Sequence, residues 1–202
     1  GKILRINSDG TIPHDNPFNS QVFSYGHRNP QGLSWNENGI LISSEHGPSG
    51  ERGYAHDEIN VIERGKNYGW PIIVGDSNDI AYTNPILHSG DITWAPSGLL
   101  YYDADKISEW KDKFLVATLR GEHVIVLDLD LENGVVNSAE KIFQDDYGRI
   151  RTLVQSPDGD IFMLTSNGNN DKILRISTFE SESLSVDTNE LTSRSDDYSI
   201  YM

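Results

Sequence analysis

Apolar residues along this chain come in short runs broken by Gly, Pro, Asn and Asp, and no convincing run repeats at helical spacing. Leu33-Ser34-Trp35 and Ile40-Leu41-Ile42 flank Asn38-Gly39. Both turn residues tolerate positive φ, so the pattern predicts strand, tight turn, strand. Residues 1–7, with Ile3, Leu4 and Ile6, read as a strand ahead of a Ser-Asp-Gly turn. Residues 11–30, punctuated by Pro13, Pro17 and Pro30, read as loop. Residues 57–63 alternate apolar and polar, which predicts a strand with one buried face. After an irregular stretch over 68–93, further strands are expected at 99–102, 113–117, 123–129 and 139–144, with a short helical turn over 106–110 and a turn at Asn133-Gly134. The last block holds strands at 148–154, 161–164 and 172–176. Residues 178–202, rich in Ser, Asp, Glu and Thr, read as an acidic, disordered tail set apart from a folded unit over 1–177.

Repetition organises these strands. NENGILIS around Gly39 and SPDGDIFML around Gly159 are one turn-plus-strand unit, and KILRI occurs at Lys2 and again at Lys172. Short strands, recurring turns and no long helix predict an all-β repeat fold, best matched by a propeller of four-stranded blades. A β-sandwich gives no reason for KILRI to recur. The second KILRI closes its block, so the first should close an earlier one. The expectation is about three blades plus an orphan strand, the later part of a larger propeller.

The 202 residues, 36% hydrophobic, suffice for a real core. A net charge of -15 argues against nucleic acid and anionic membranes as partners. There is no cysteine, hence no disulfide, thiol nucleophile or thiolate metal site. No apolar run is long enough for a membrane span. With 16 Lys+Arg against 31 Asp+Glu, arginines in rim loops stand out. Arg28 and Asn29 sit before the hairpin and Arg120 sits in a connecting loop. Arg149 and Arg151, one residue apart, share a strand side. Planar guanidinium forks suit carboxylates of a ligand; the second pair equally suits an exposed face pairing with neighbouring acids. In Gly47-Pro48, free φ beside fixed φ lets two successive carbonyls aim at one point, as a hard cation requires. A plain turn uses the same two residues.

The ordered runs GHRNPQGL, SEHGP, DEIN and NYGWP resemble the soluble quinoprotein glucose dehydrogenases and aldose sugar dehydrogenases, the glucose/sorbosone dehydrogenase family, from Gly1 to about Ser177. The resemblance implies a six-bladed β-propeller, with pyrroloquinoline quinone (PQQ) and Ca²⁺ as cofactors and oxidation of an aldose at its anomeric carbon to the lactone. It implies Arg28, Asn29, Thr93, Arg120, Arg149 and Arg151 as cofactor-binding. Gly47 and Pro48 become carbonyl ligands of calcium, and Glu58 and Tyr68 ligands of a second calcium. Arg120 stands where the family often has Lys, and the segment between Pro48 and Asp57 is longer here. The family's catalytic His falls outside the matched stretch, since His27 and His46 belong to other motifs. A sugar substrate, a soluble electron acceptor and a periplasmic or secreted location follow from the resemblance, and a homodimer stays open. The alternative is a non-catalytic calcium-binding propeller module that binds sugar or protein partners.

Overall fold

The computed structural model describes residues 1–48, 55–178 and 199–201. Its strands form three antiparallel meanders and one two-stranded pair. The pair joins β1 (Lys2–Leu4) to β2 (Val22–Tyr25). The first sheet runs β3 (Pro30–Trp35), β4 (Leu41–Glu45), β5 (Glu58–Ile62), β6 (Leu87–His88). The second runs β7 (Pro96–Tyr102), β8 (Lys113–Thr118), β9 (Val124–Asp130), β10 (Val135–Ile142). The third runs β11 (Ile150–Gln155), β12 (Ile161–Thr165), β13 (Ile173–Ser177), β14 (Ser199–Tyr201).

Strand alternation stacks these sheets face to face. In β8 and β9 one set of side chains, Phe114, Val116, Ile125 and Leu127, packs with Ile42 and Ile59 of the first sheet. The alternate set, Leu115, Ala117, Val124 and Val126, packs with Ile150, Leu153, Ile161 and Met163 of the third. The two central strands of the middle sheet, β8 and β9, are thus packed on both faces, and each fully buried aliphatic contributes about 1.5–3 kcal/mol. Ile3 and Phe23 of the leading pair meet Leu41, Ile62 and Tyr68 on the other side of the first sheet. The first strands of the sheets, β3, β7 and β11, lie against one another in turn. This is an arc of β-propeller blades, the architecture that the recurring turn-plus-strand units predict.

Close approach of the innermost strands depends on two glycines. A Cβ on Gly32 would lie 2.4 Å from the Ser97 carbonyl oxygen, and one on Gly98 would lie 2.7 Å from Thr152 Cα. A serine chain fastens the same junction: Ser44 Oγ donates to Ser97 O at 2.7 Å, and Ser97 Oγ donates to Ile150 O at 3.0 Å. The registers Pro30↔Glu45, Pro96↔Thr118 and Ile150↔Thr165 bring the start of each inner strand beside the end of its neighbour. The loops before β3, β7 and β11 and those after β4, β8 and β12 therefore share one rim.

Two expectations change. The leading strand is not an orphan: Val22-Phe23-Ser24-Tyr25, hidden among Pro17, Asn19, Ser20 and Pro30, pairs along it. The tail expected to be disordered lies, over 179–198 and at 202, outside the described residues. Ser199–Tyr201 forms β14, whose backbone pairs with Arg175, Ile176 and Ser177.

Candidate functional site

Four separate sequence motifs meet at the rim of the first sheet. Glu45 ends β4 opposite Pro30, so its side chain reaches the loop that leads into β3. One carboxylate oxygen accepts the backbone N–H of Arg28 and, at 3.2 Å, that of Asn29; the other faces His27 Nδ1 at 2.9 Å. His27 Nε2 lies 2.8 Å from Ser24 Oγ, and the ring stacks on Tyr68 at 4.5 Å. Ser24 and His27 are fully buried and Glu45 nearly so. This Ser–His–Glu array has the order of a nucleophilic triad, yet no substrate reaches it; it is internal support.

A second buried carboxylate ties further loops together. Asp57 accepts Gly47 N–H at 2.9 Å through Oδ1, and Trp94 and Ala95 N–H at 2.6 and 2.8 Å through Oδ2. The loop after β8 joins them: Leu119 N–H bonds the Ala95 carbonyl, and Arg120 and Gly121 N–H bond the Trp94 carbonyl. Gly47 is required where it stands, because a Cβ there would lie 1.9 Å from the Ala55 carbonyl oxygen.

Arg28, Glu45, His46, Gly47, Pro48, Glu58, Tyr68 and Trp70 are among the residues lining one small recess at this rim. It holds about 10 Å³, room for one water or ion and not for a ring system. Arg28 lies over the Trp70 ring at 5.4 Å and donates to the His46 carbonyl at 3.3 Å. Burial holds the His46 imidazole below its ordinary value; Asp57 and a bond to the Pro96 carbonyl oppose this, while Arg28 and Arg151 add to it. His46 is therefore neutral near pH 7, and its Nε2 is buried without a partner among the described residues. Burial, aided by Glu45 and Asp57, pushes the Glu58 carboxyl up to about 7 against bonds from Asn60 and the Gly75 N–H. The Tyr68 hydroxyl bonds Val61 O and Glu63 N–H, and burial raises its pKa.

The rim thus gathers Arg28, Asn29, Gly47, Pro48, Glu58 and Tyr68 around one recess or its supporting network. Thr93 and Arg120 belong to the loops that Asp57 and Trp94 tie to it. Arg149 and Arg151 are both exposed; Arg151 enters through its influence on His46, whereas Arg149 bonds the Ser166 carbonyl. Arg28, Arg120, Arg149 and Arg151 make no ion pair among the described residues, although the chain is rich in acids. Among the described residues no cluster of three or more His, Asp or Glu is disposed to hold a metal. The pattern reading singled out neither Glu45 nor Asp57. A signal was present: Pro30-Gln31-Gly32-Leu33 and Pro96-Ser97-Gly98-Leu99 are the same inner-strand start, and the polar residues around each mark the rim. A larger recess, about 780 Å³ between the β1–β2 pair and the first sheet, is lined chiefly by apolar side chains such as Leu4, Leu33 and Trp35 and carries none of this chemistry.

A family model described as Glucose / Sorbosone dehydrogenase matches residues 1–175. The chain belongs to this family. The aldose sugar dehydrogenase of Escherichia coli is 34% identical over 197 residues, 88% of this chain and 51% of that protein. Quinoprotein glucose dehydrogenase B of Acinetobacter calcoaceticus is 51% identical over 86 residues, 41% of this chain and 17% of that protein. Among solved structures, a glucose dehydrogenase-type oxidoreductase of Thermus thermophilus superposes with a TM-score of 0.76 at 40% identity, covering 87% of this chain and 55% of that one. A PQQ-bound aldose sugar dehydrogenase of Streptomyces coelicolor gives 0.74 at 31%, covering 87% and 51%. The chain spans about half the length of the first two curated relatives it matches and of these structures.

Proposed function

We propose that this rim binds PQQ together with Ca²⁺ and serves oxidation of an aldose at its anomeric carbon to the lactone, with electrons passing to a soluble acceptor. The observation that carries the reading is Arg28, which lines the Gly47-Pro48 recess and, like Arg120, Arg149 and Arg151, makes no ion pair among the described residues. In a chain with 31 acidic residues, guanidiniums that no carboxylate pairs among the described residues keep their charge available for an anionic ligand.

The residues present fit these groups. The recess has room for a single ion, and a hard cation takes backbone carbonyl oxygens readily. Gly47 and Pro48 would supply them, with Asp57 fixing the Gly47 amide; Glu58 and Tyr68 would serve a second cation. Arg28, Asn29, Thr93, Arg120, Arg149 and Arg151 would hold a polycarboxylate, Arg28 already braced by Trp70. His46 Nε2, without a partner among the described residues, offers a neutral acceptor to a ligand N–H or O–H. The quinone, when bound, supplies the electron-accepting chemistry; the protein supplies orientation and charge. Periplasmic or secreted placement belongs to the same proposal.

Calorimetric titration of the 202-residue chain with PQQ, with and without Ca²⁺, tests the reading. Binding that requires calcium and weakens at least tenfold in Arg28→Ala supports it. Calcium binding with no response to quinone would instead favour a non-catalytic calcium-binding module.

A further inference from the structure

We infer that Glu45 is a positioning residue for the ligand-binding arginine: its buried carboxylate sets the Arg28–Asn29 backbone and thereby aims the Arg28 guanidinium into the rim. The inference rests on the quinone reading above.

Burying a carboxylate is costly unless each oxygen is satisfied. Glu45 meets that condition with three donors, all from the segment 27–29. Two successive amides converging on one oxygen form a small anion nest, which fixes the backbone of Arg28 and Asn29 together. His27 closes the arrangement. With a carboxylate at Nδ1, that nitrogen carries the proton, and Nε2 accepts from the Ser24 hydroxyl. Tyr68 stacks on the ring and prevents its rotation. The Arg28 side chain is then received by the Trp70 face and the His46 carbonyl. No carboxylate among the described residues pairs with its guanidinium, Glu45 included. Glu45 therefore orders the arginine through its amide while leaving its charge for a ligand. An arginine held this way loses less conformational freedom on binding, and affinity rises accordingly.

Two conservative variants separate reach from charge. Glu45→Asp keeps the charge but withdraws the carboxylate by one methylene. Glu45→Gln keeps the reach: its carbonyl still accepts both amides, and its NH₂ faces His27 Nδ1 once the ring adopts the other tautomer. PQQ affinity in saturating Ca²⁺ is expected to fall about tenfold in Glu45→Asp and less than about threefold in Glu45→Gln. In an Arg28→Ala background Glu45→Asp should cost clearly less than it does alone, because most of its effect passes through Arg28 and only the remainder through Asn29. The Arg28 amide proton, deshielded by its carboxylate acceptor, should move upfield in Glu45→Asp with or without quinone. Losses that add in the double variant, or Glu45→Gln as damaging as Glu45→Asp, overturn the positioning role while leaving the quinone site intact. Wild-type protein that ignores quinone, or Arg28→Ala that binds as wild type, overturns the functional reading and this role with it.

Discussion

Asp57→Asn is the sharpest perturbation of the rim. The native carboxylate accepts three buried amides, one at Oδ1 and two at Oδ2. Asparagine has the same shape but one acceptor oxygen. Turned to keep Trp94 and Ala95, it sets its NH₂ against the Gly47 N–H, donor to donor, where a 2.9 Å bond now lies. A hydrogen bond to a charged group is worth about 1.5–3 kcal/mol, and an unsatisfied buried donor costs about 1–3 kcal/mol. The two figures overlap because they describe the same amide, so the expected loss is about 3 kcal/mol. For a chain of this size that lowers the melting temperature by roughly 6–12 °C. The Gly47 amide and the Gly47-Pro48 carbonyls share a backbone, so calcium affinity should fall about tenfold or more, as when the orienting partner of a metal ligand is lost. Thermal unfolding followed by circular dichroism in calcium-free buffer reads the first effect, and calcium titration reads the second. A variant that melts within about 2 °C of wild type and binds calcium equally well would show that Asp57 does not hold this loop.

Three further outcomes follow from other contacts. Tyr102→Phe removes a hydroxyl that accepts Ile107 N–H at 3.0 Å and donates to Gly159 O at 2.6 Å inside the core between the second and third sheets; about 2 kcal/mol should be lost in urea unfolding. Burial pushes the Asp160 carboxyl up, but bonds from Lys106, Ser177 and Arg175 and the Lys106 charge outweigh it, leaving its pKa below the ordinary value of 3.8. A depressed carboxyl stabilises the fold above its unfolded pKa and loses that contribution as pH falls through its folded pKa. Asp160→Asn should therefore cost about 2 kcal/mol at pH 7, less than a fully buried pair because both cations are partly exposed, with the gap to wild type closing below about pH 4 in denaturant titrations. Arg149 and Arg151 are both exposed, but Arg151→Ala should weaken PQQ binding more than Arg149→Ala, since Arg151 acts on His46 while Arg149 is engaged with the Ser166 carbonyl; calorimetry showing the reverse order would move the anion site away from His46.

How much of this was legible depends on where each strand's partners lie. β8 and β9 have neighbours on both faces, and their near-continuous apolar runs declare them. The outer strands do not. Leu87-His88 and Ser199–Tyr201 are too short for a periodic signal, and their backbones are recruited by β5 and β13. Val135–Ile142 is largely exposed and shifts register between Val136 and Ser138, so its alternation emerged only from Ala139 onward. An edge strand is specified by its neighbour's unpaired groups more than by its own side chains.

The rim divides in the same way. Arg28, Gly47 and Pro48 stand out because unusual residues in loops imply a task. Glu45 and Asp57 look like ordinary surface acids until the fold buries them, for nothing in DEIN or SEHGP states that the carboxylate faces inward. Physically, their burial is the more informative fact. A core built for stability alone would fill these positions with apolar side chains, which carry no desolvation cost. Two carboxylates that each gather three donors instead fix loop backbones to within a hydrogen bond's tolerance, which is what a binding site on loops requires and a packed core does not. The polar interior behind the rim, more than the arginines displayed on it, distinguishes a shaped site from a charged surface.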